Sequence, residues 1–140
     1  VDGVYELESP WGRLEFGAVS MGNPHALIMT TDIDSEQIPP TGHFLGTHEI
    51  FPDGCNVGFA QLEGKTRIRL RVVERGVGET MACGSGACAA VAILRKSGRV
   101  GDRVDVLLPG GHLVIKWPGN QEPLTMKGPA THVFRGIMNE

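Results

Sequence analysis

Residues Arg67 to Lys96 read RIRLRVVERGVGETMACGSGACAAVAILRK, and the two ends of this stretch follow different periods. At the first end Ile68, Leu70 and Val72 alternate with Arg67, Arg69 and Arg71. A two-residue period sends successive side chains to opposite faces, so Lys65–Glu74 is predicted to be a strand with one buried and one solvated face. Glu74 falls in phase with the apolar set. The end of the strand therefore aims a carboxylate at the interior, where it needs partners or a function. At the second end Ala87–Leu94 is apolar at eight consecutive positions. A helix over Ser85–Lys96 then has no polar stripe and must be surrounded. Arg95 and Lys96 in its last turn, with Gly98 just beyond, mark its C-terminus.

On either side of this stretch the chain alternates short apolar runs with turn residues. Val4–Leu7 and Leu14–Val19 read as strands separated by Ser-Pro-Trp-Gly, and Gly22-Asn23-Pro24-His25 is a turn leading into the apolar run Ala26–Met29. Thr41–Thr47 reads as a short helix after Pro39-Pro40. Phe51-Pro52-Asp53-Gly54 is a further turn before a strand over Asn56–Leu62. Strands follow near Val104–Leu108, His112–Trp117, Leu124–Lys127 and His132–Met138, with Gly110-Gly111 and Pro118-Gly119-Asn120 as turns. The predicted architecture is α+β: one domain, a strongly curved, mostly antiparallel sheet wrapped around a central buried helix.

Composition narrows the function. With 140 residues, 41% hydrophobic and 21% charged, the chain has the makeup of an ordinary globular domain, and 20 glycines with 9 prolines suit many tight turns. A net charge of −3 without a basic run argues against a nucleic-acid partner. No apolar stretch approaches the roughly 18 residues of a membrane span, and the first residues do not read as a signal sequence. The cysteines Cys55, Cys83 and Cys88 are odd in number. On a helix Cys83 and Cys88 would point about 140° apart, which opposes a disulfide and suits a reducing, cytoplasmic setting. Cys-x4-Cys without a nearby histidine is poor zinc spacing, and His43, His48, His112 and His132 have no metal-ligand pattern either, so no metal is expected.

The chemistry is expected between Glu74 and Ala89. Cys83 stands just before the helix, where unpaired N–H groups and the helix dipole favour a thiolate. Gly84-Ser85-Gly86 leaves backbone N–H groups approachable by a carboxylate. On residues alone Cys83 reads equally as a reagent or as a small buried hydrophobe, and Cys88 reads as the latter. Glu74-Arg75 is equally a surface ion pair or a site pair. His25 and Asn56 are readable as turn residues.

The conjunction of three blocks changes the reading. Val19-Ser20-Met21-Gly22-Asn23-Pro24-His25, Phe51-Pro52-Asp53-Gly54-Cys55-Asn56-Val57 and Glu74 through Ala90 resemble, in order and spacing, three signatures of the diaminopimelate epimerase family. The resemblance spans essentially the whole chain but only the family's C-terminal domain. Together with Val1 in place of an initiator methionine, it implies that residues 1–140 are the C-terminal catalytic half of a two-domain enzyme whose N-terminal half is absent.

That family interconverts LL- and meso-diaminopimelate without pyridoxal phosphate or another cofactor, for lysine and peptidoglycan precursors. One thiol removes the α-proton while a second, from the other half, donates to the opposite face. The resemblance makes Cys83 this half's catalytic thiol and Gly84 and Ser85 a backbone cradle for the substrate carboxylate. Asn23, Asn56 and Arg75 would grip the distal amino-acid end. Glu74 would read the amino group and, with His25, tune the thiols. Phe134 matches a position associated with dimer contacts, so a homodimer joins the N-terminal half and the small substrate as expected partners. The sequence departs from the family at Gly58, where an acidic side chain is common, and at Cys55, where a small apolar or β-branched residue is usual. Other readings are a proline racemase-like isomerase, a cysteine hydrolase using His25 as base, and a non-catalytic binding domain. Half a site alone is expected to be inactive.

Overall fold

A computed structural model describes residues 4–119, 121–129 and 136–137. Within these residues nine strands and two helices follow in the order β1 (Tyr5–Ser9), β2 (Gly12–Ser20), β3 (Pro24–Met29), α1 (Ile38–Gly46), β4 (Asn56–Leu62), β5 (Arg67–Glu74), β6 (Gly78–Thr80), α2 (Gly84–Lys96), β7 (Arg103–Leu108), β8 (Gly111–Lys116) and β9 (Thr125–Lys127). They form one sheet ordered β1-β2-β3-β4-β5-β7-β8-β9, with β6 paired to β5. Every pairing is antiparallel except β3–β4 and β5–β7. A parallel pair needs a long crossover. Here α1 lies within the first crossover and α2 within the second.

The alternation in β5 is realised as expected. Ile68, Leu70 and Val72 are buried against α2 residues Ala87, Ala90, Val91 and Leu94, whereas Arg67 and Arg69 are exposed. Helix α2 contacts β2, β3, β4 and β8, strands from both flanks of the order, so the sheet curls around it. The mostly antiparallel α+β sheet with a central helix is therefore present.

Several details differ from the sequence reading, among them the early start of β3 at Pro24 and the unforeseen strand β6. Three others concern the helices. Helix α1 begins at Ile38, with both prolines inside its first turn. Backbone N–H groups there have no helical acceptor, so the donor that proline lacks is not missed. Second, α1 covers a core of its own on the sheet face opposite α2, built from Phe16, Ala26, Ile33, Ile38, Leu45, Val57, Phe59 and Val73. The doublet Val72-Val73 registers this, because β5 is covered on both faces only near that end. At Gly42 of α1 a Cβ would stand 2.5 Å from Val73 Cγ2, so a bare backbone is what lets α1 lie on β5. Third, α2 is not enclosed on every side: Cys88 and Ile93 are only half-buried beside the core. The expected strand over 132–138 falls outside the described residues except for Gly136 and Ile137, which have no regular structure. No helix among the described residues is long and apolar enough to cross a membrane.

Candidate functional site

Three strands bring a polar row to one end of the sheet. His25 lies beside Asn56 across β3–β4, and Val57 pairs with Val73 across β4–β5, one step from Asn56 and Glu74. Leu27, Ala60, Leu70 and Val72 face α2. His25, Asn56 and Glu74 are in phase with them, so strand alternation puts all three on the α2 face, just past the apolar packing. His25 and Asn56 are buried, and Glu74 is half-buried.

His25 and Asn56 are each held by hydrogen bonds to neighbouring residues. Asn23 Oδ1 lies 3.2 Å from His25 Nε2. Asn56 Nδ2 donates to the Pro24 carbonyl at 3.5 Å, and Asn56 Oδ1 accepts the Arg75 backbone N–H at 2.7 Å. The Arg75 side chain is exposed and donates through Nη1 to the Asp53 carbonyl at 3.1 Å. Burial lowers the pKa of His25, with the Glu74 charge opposing it, so the imidazole is neutral near pH 7.

Cys83 is the N-cap of α2. Its backbone is extended (φ −142°, ψ 104°), its carbonyl accepts the Ala87 N–H at 3.0 Å, and its Sγ accepts the Gly86 N–H at 3.3 Å. The Ser85 hydroxyl is 3.6 Å from the sulfur. The thiol thus takes the place a serine or aspartate usually holds at a helix start, with a backbone donor aimed at the sulfur. Gly86 makes the arrangement possible: a Cβ there would stand 3.1 Å from Cys83 Sγ and 3.0 Å from Val72 Cγ2. The first-turn N–H groups of Gly84 and Ser85 have no acceptor within the helix, which makes them available to an anion.

The other two thiols differ. Cys55 is fully buried, and burial pushes its pKa up to about 12 against a backbone hydrogen bond at Ala26 and the Arg75 charge. Cys88 was expected to be buried inside α2 but is half-buried, because the neighbouring strands cover its side of the helix only in part. Its pKa is nevertheless raised, first by burial and then by the neighbouring Cys83.

The structure therefore gathers Asn23, His25, Asn56, Glu74 and Arg75 into one cluster and sets Cys83, Gly84 and Ser85 at the start of α2. It does not pair His25 with Cys83: the sulfur's hydrogen bonds go to Gly86 and Ser85, and His25 meets Asn23. A cysteine hydrolase needs that pair. Phe134 lies outside the described residues. Gly58 sits against Leu27 and Leu70, so an acidic side chain there would enter an apolar core. Sequence reading missed Met126 of β9, whose methyl would stand 3.1 Å from a Cβ on Gly84 and which thereby covers one side of the helix start. A lone methionine in a short strand carries no signal for that role. Among the described residues no group of acidic, histidine or cysteine side chains is arranged to hold a metal.

The profile of the diaminopimelate epimerase family matches residues 17–133. The diaminopimelate epimerase of Xanthomonas axonopodis pv. citri (strain 306) is 55% identical over 96% of this chain and 48% of its own length. That of Alkalilimnicola ehrlichii is 52% identical over 94% of this chain and 47% of its own. The chain thus spans about half the length of the curated relatives it matches. Among solved structures, a hydroxyproline epimerase from Agrobacterium vitis superposes with a TM-score of 0.65 at 21% identity, over 83% of this chain and 41% of that one. A Bacillus anthracis phenazine biosynthesis protein of the PhzF family gives 0.55 at 19% identity, over 81% and 34%. At such identities the likeness concerns the fold.

Two outcomes follow from this geometry. Near pH 7 iodoacetamide should modify Cys83 well ahead of Cys88 and Cys55, as read by peptide mass mapping at short times; Cys88 reacting first would remove Cys83 from the site. His25 has a folded pKa below its unfolded value of 6.5, so the unfolded chain takes up the proton first. Its contribution to stability is complete above pH 6.5 and is lost as the pH falls through the folded pKa. Urea midpoints should therefore drop between about pH 7.5 and pH 5.5 in the wild type and drop less in His25→Gln. Equal drops would mean that His25 takes no part.

Proposed function

Because this chain belongs to the diaminopimelate epimerase family, we propose that it supplies one face of a two-thiol site that interconverts LL- and meso-diaminopimelate in the cytoplasm. The observation that carries this reading is Cys83 itself. A thiol caps a buried helix, with one backbone N–H on its sulfur and two more beside it without helical acceptors.

An α-hydrogen next to a carboxylate is a very weak acid, so a base alone is insufficient. The charge that develops on the carboxylate as the proton leaves must meet donors already in place, and the Gly84 and Ser85 N–H groups fit that task. Cys83 as thiolate takes the proton on one face and becomes a thiol. A second cysteine, from the half that the longer relatives possess beyond this chain, gives its proton to the opposite face. Run in reverse, the roles exchange. The two sulfurs do the chemistry themselves, so the reading calls for no cofactor.

Asn23, Asn56 and Arg75 are assigned to the distal amino-acid end of the substrate. Asn23 meets His25, Asn56 bonds the Pro24 carbonyl and the Arg75 backbone N–H, and one Arg75 donor goes to the Asp53 carbonyl, contacts that fix their positions in advance. Arg75 keeps guanidinium donors at the surface for a carboxylate. Glu74 and the neutral His25 lie on the α2 face of the same row, where a carboxylate suits an ammonium group. Proline has no distal group, and the Arg75 donors would then go unused.

The test joins this chain, in trans or by fusion, to the N-terminal half of a full-length relative. The joined protein should convert LL- to meso-diaminopimelate and leave proline unchanged. Cys83→Ala should remove the conversion, and the 140-residue chain alone should show none. Robust conversion by the chain alone would rule out the two-half site, and turnover of proline would rule out the substrate.

A further inference from the structure

Among the described residues, one ion pair outside the site differs from the others. Arg67 and Arg69 of β5 are exposed, but the Arg71 side chain is only 18% exposed. Its Nε and Nη2 donate to Glu79 Oε1 and Oε2 at 2.6 and 2.9 Å, a two-pronged contact. Its Nη1 donates to the carbonyls of Ile33 and Ser35 at 2.8 and 3.1 Å. One guanidinium thus ties together β5, β6 and the segment before α1.

The position of Glu79 gives this tie its consequence. It is the central residue of β6, a three-residue strand paired to β5 through Val72–Thr80, Val73–Glu79 and Glu74–Gly78. Arg75 lies in the turn before β6, and Cys83 lies three residues after it. So short a ladder is a weak hold by itself. The hydroxyl of Thr80 is buried and has no hydrogen-bond partner among the described residues, so it adds nothing. The Glu79–Arg71 fork therefore anchors the middle of the connector, between the Asn56 and Asp53 hydrogen bonds to Arg75 at its start and the Gly110 N–H to Met81 carbonyl contact at 2.7 Å beyond β6. Exposed single ion pairs contribute little, but a bidentate, partly buried one joined to two carbonyls fixes geometry. Arg71 also holds the Glu79 carboxyl below the usual carboxylate range, chiefly through the hydrogen bonds and against a partial burial penalty.

We propose that Glu79, held by Arg71, is a positioning residue that sets where Arg75 and Cys83 stand relative to each other. The proposal rests on the two-thiol reading for what those two residues do, but not for where the pair holds them. Glu79→Gln keeps the shape and breaks the fork, since its amide N–H₂ would face one of the Arg71 N–H groups, donor against donor. Arg71→Lys removes the fork from the other side.

The experiment has two arms. In the 140-residue chain, Cys83 is only 7% exposed. Its alkylation should quicken roughly tenfold in Glu79→Gln and in Arg71→Lys as the connector opens more readily, with Cys88 unchanged. In the joined two-half protein, kcat should fall and KM for diaminopimelate should rise, together lowering kcat/KM about 100-fold, the scale of a roughly 1 Å misplacement. The double variant should lose no more than either single one, because both remove the same contact. Glu79→Asp, which keeps the charge, should recover part of the loss, and it decides the matter if Glu79→Gln does not fold. Exposed Glu63→Gln is the control that should change nothing. If the joined wild type fails to epimerise diaminopimelate, the functional reading falls and the alkylation arm still decides the positioning. Lower melting temperatures with unchanged Cys83 alkylation and unchanged kinetics would overturn the proposal.

Discussion

Helix α2 is the constraint on which the rest of the structure depends. An alanine-rich helix with almost no polar stripe is insoluble by itself, and its burial organises the strands around it. Contact with β2, β3, β4 and β8 requires a curled sheet, and the parallel pairing of β5 with β7 requires the crossover in which α2 lies. Burial also fixes the start of the helix in space. Its first turn lies near the end of β5, where a Cβ on Gly86 would stand 3.0 Å from Val72 Cγ2. The polar row His25–Asn56–Glu74 continues past the apolar packing on the same face of the sheet, and the capping thiol is held within the first turn of α2.

Rigidity at this end comes from several small restraints. Gly86 leaves room for the Cys83 sulfur, Asn56 ties its strand to the Arg75 backbone, and the Arg71–Glu79 fork holds β6. None of these buries much area. Each holds a group at a set distance from its neighbours, which is what the proposed proton transfer requires of a protein. The cluster around His25 and Asn56 spends its polar atoms internally, while the first turn of α2 and the Arg75 guanidinium keep theirs available.

Much of this was legible in the sequence, for identifiable reasons. The alternation from Ile68 to Val72 and the apolar run Ala87–Leu94 are strong periodic signals, and they located β5 and α2 to within two residues. The turn Phe51–Gly54 located the start of β4, whereas β3 begins at Pro24, inside the turn expected over Gly22–His25. Helix α1 and its separate core were harder to read, because two prolines hid the start of the helix and only the Val72-Val73 doublet signalled a second covered face. Cys88 shows the limit of inferring burial from composition: an apolar helix can keep a half-exposed flank. Arg71 looked no different from Arg67 and Arg69, since an alternating pattern cannot show which arginine finds a carboxylate across a turn. Met126 was invisible for a similar reason, its role depending on the path of β9 past Gly84.

The central claim is that Cys83 is one of two proton-handling groups on opposite faces of the substrate. The most direct measurement is the early course of the reaction in deuterium oxide, with the stereoisomers separated and the α-hydrogen of each followed by mass spectrometry. Two groups on opposite faces predict that the first product molecules carry solvent deuterium at the inverted centre while the remaining substrate is still unlabelled. Product that retains the substrate's own hydrogen, or substrate that gains deuterium as fast as product forms, would show that a single group serves both faces and would contradict the claim.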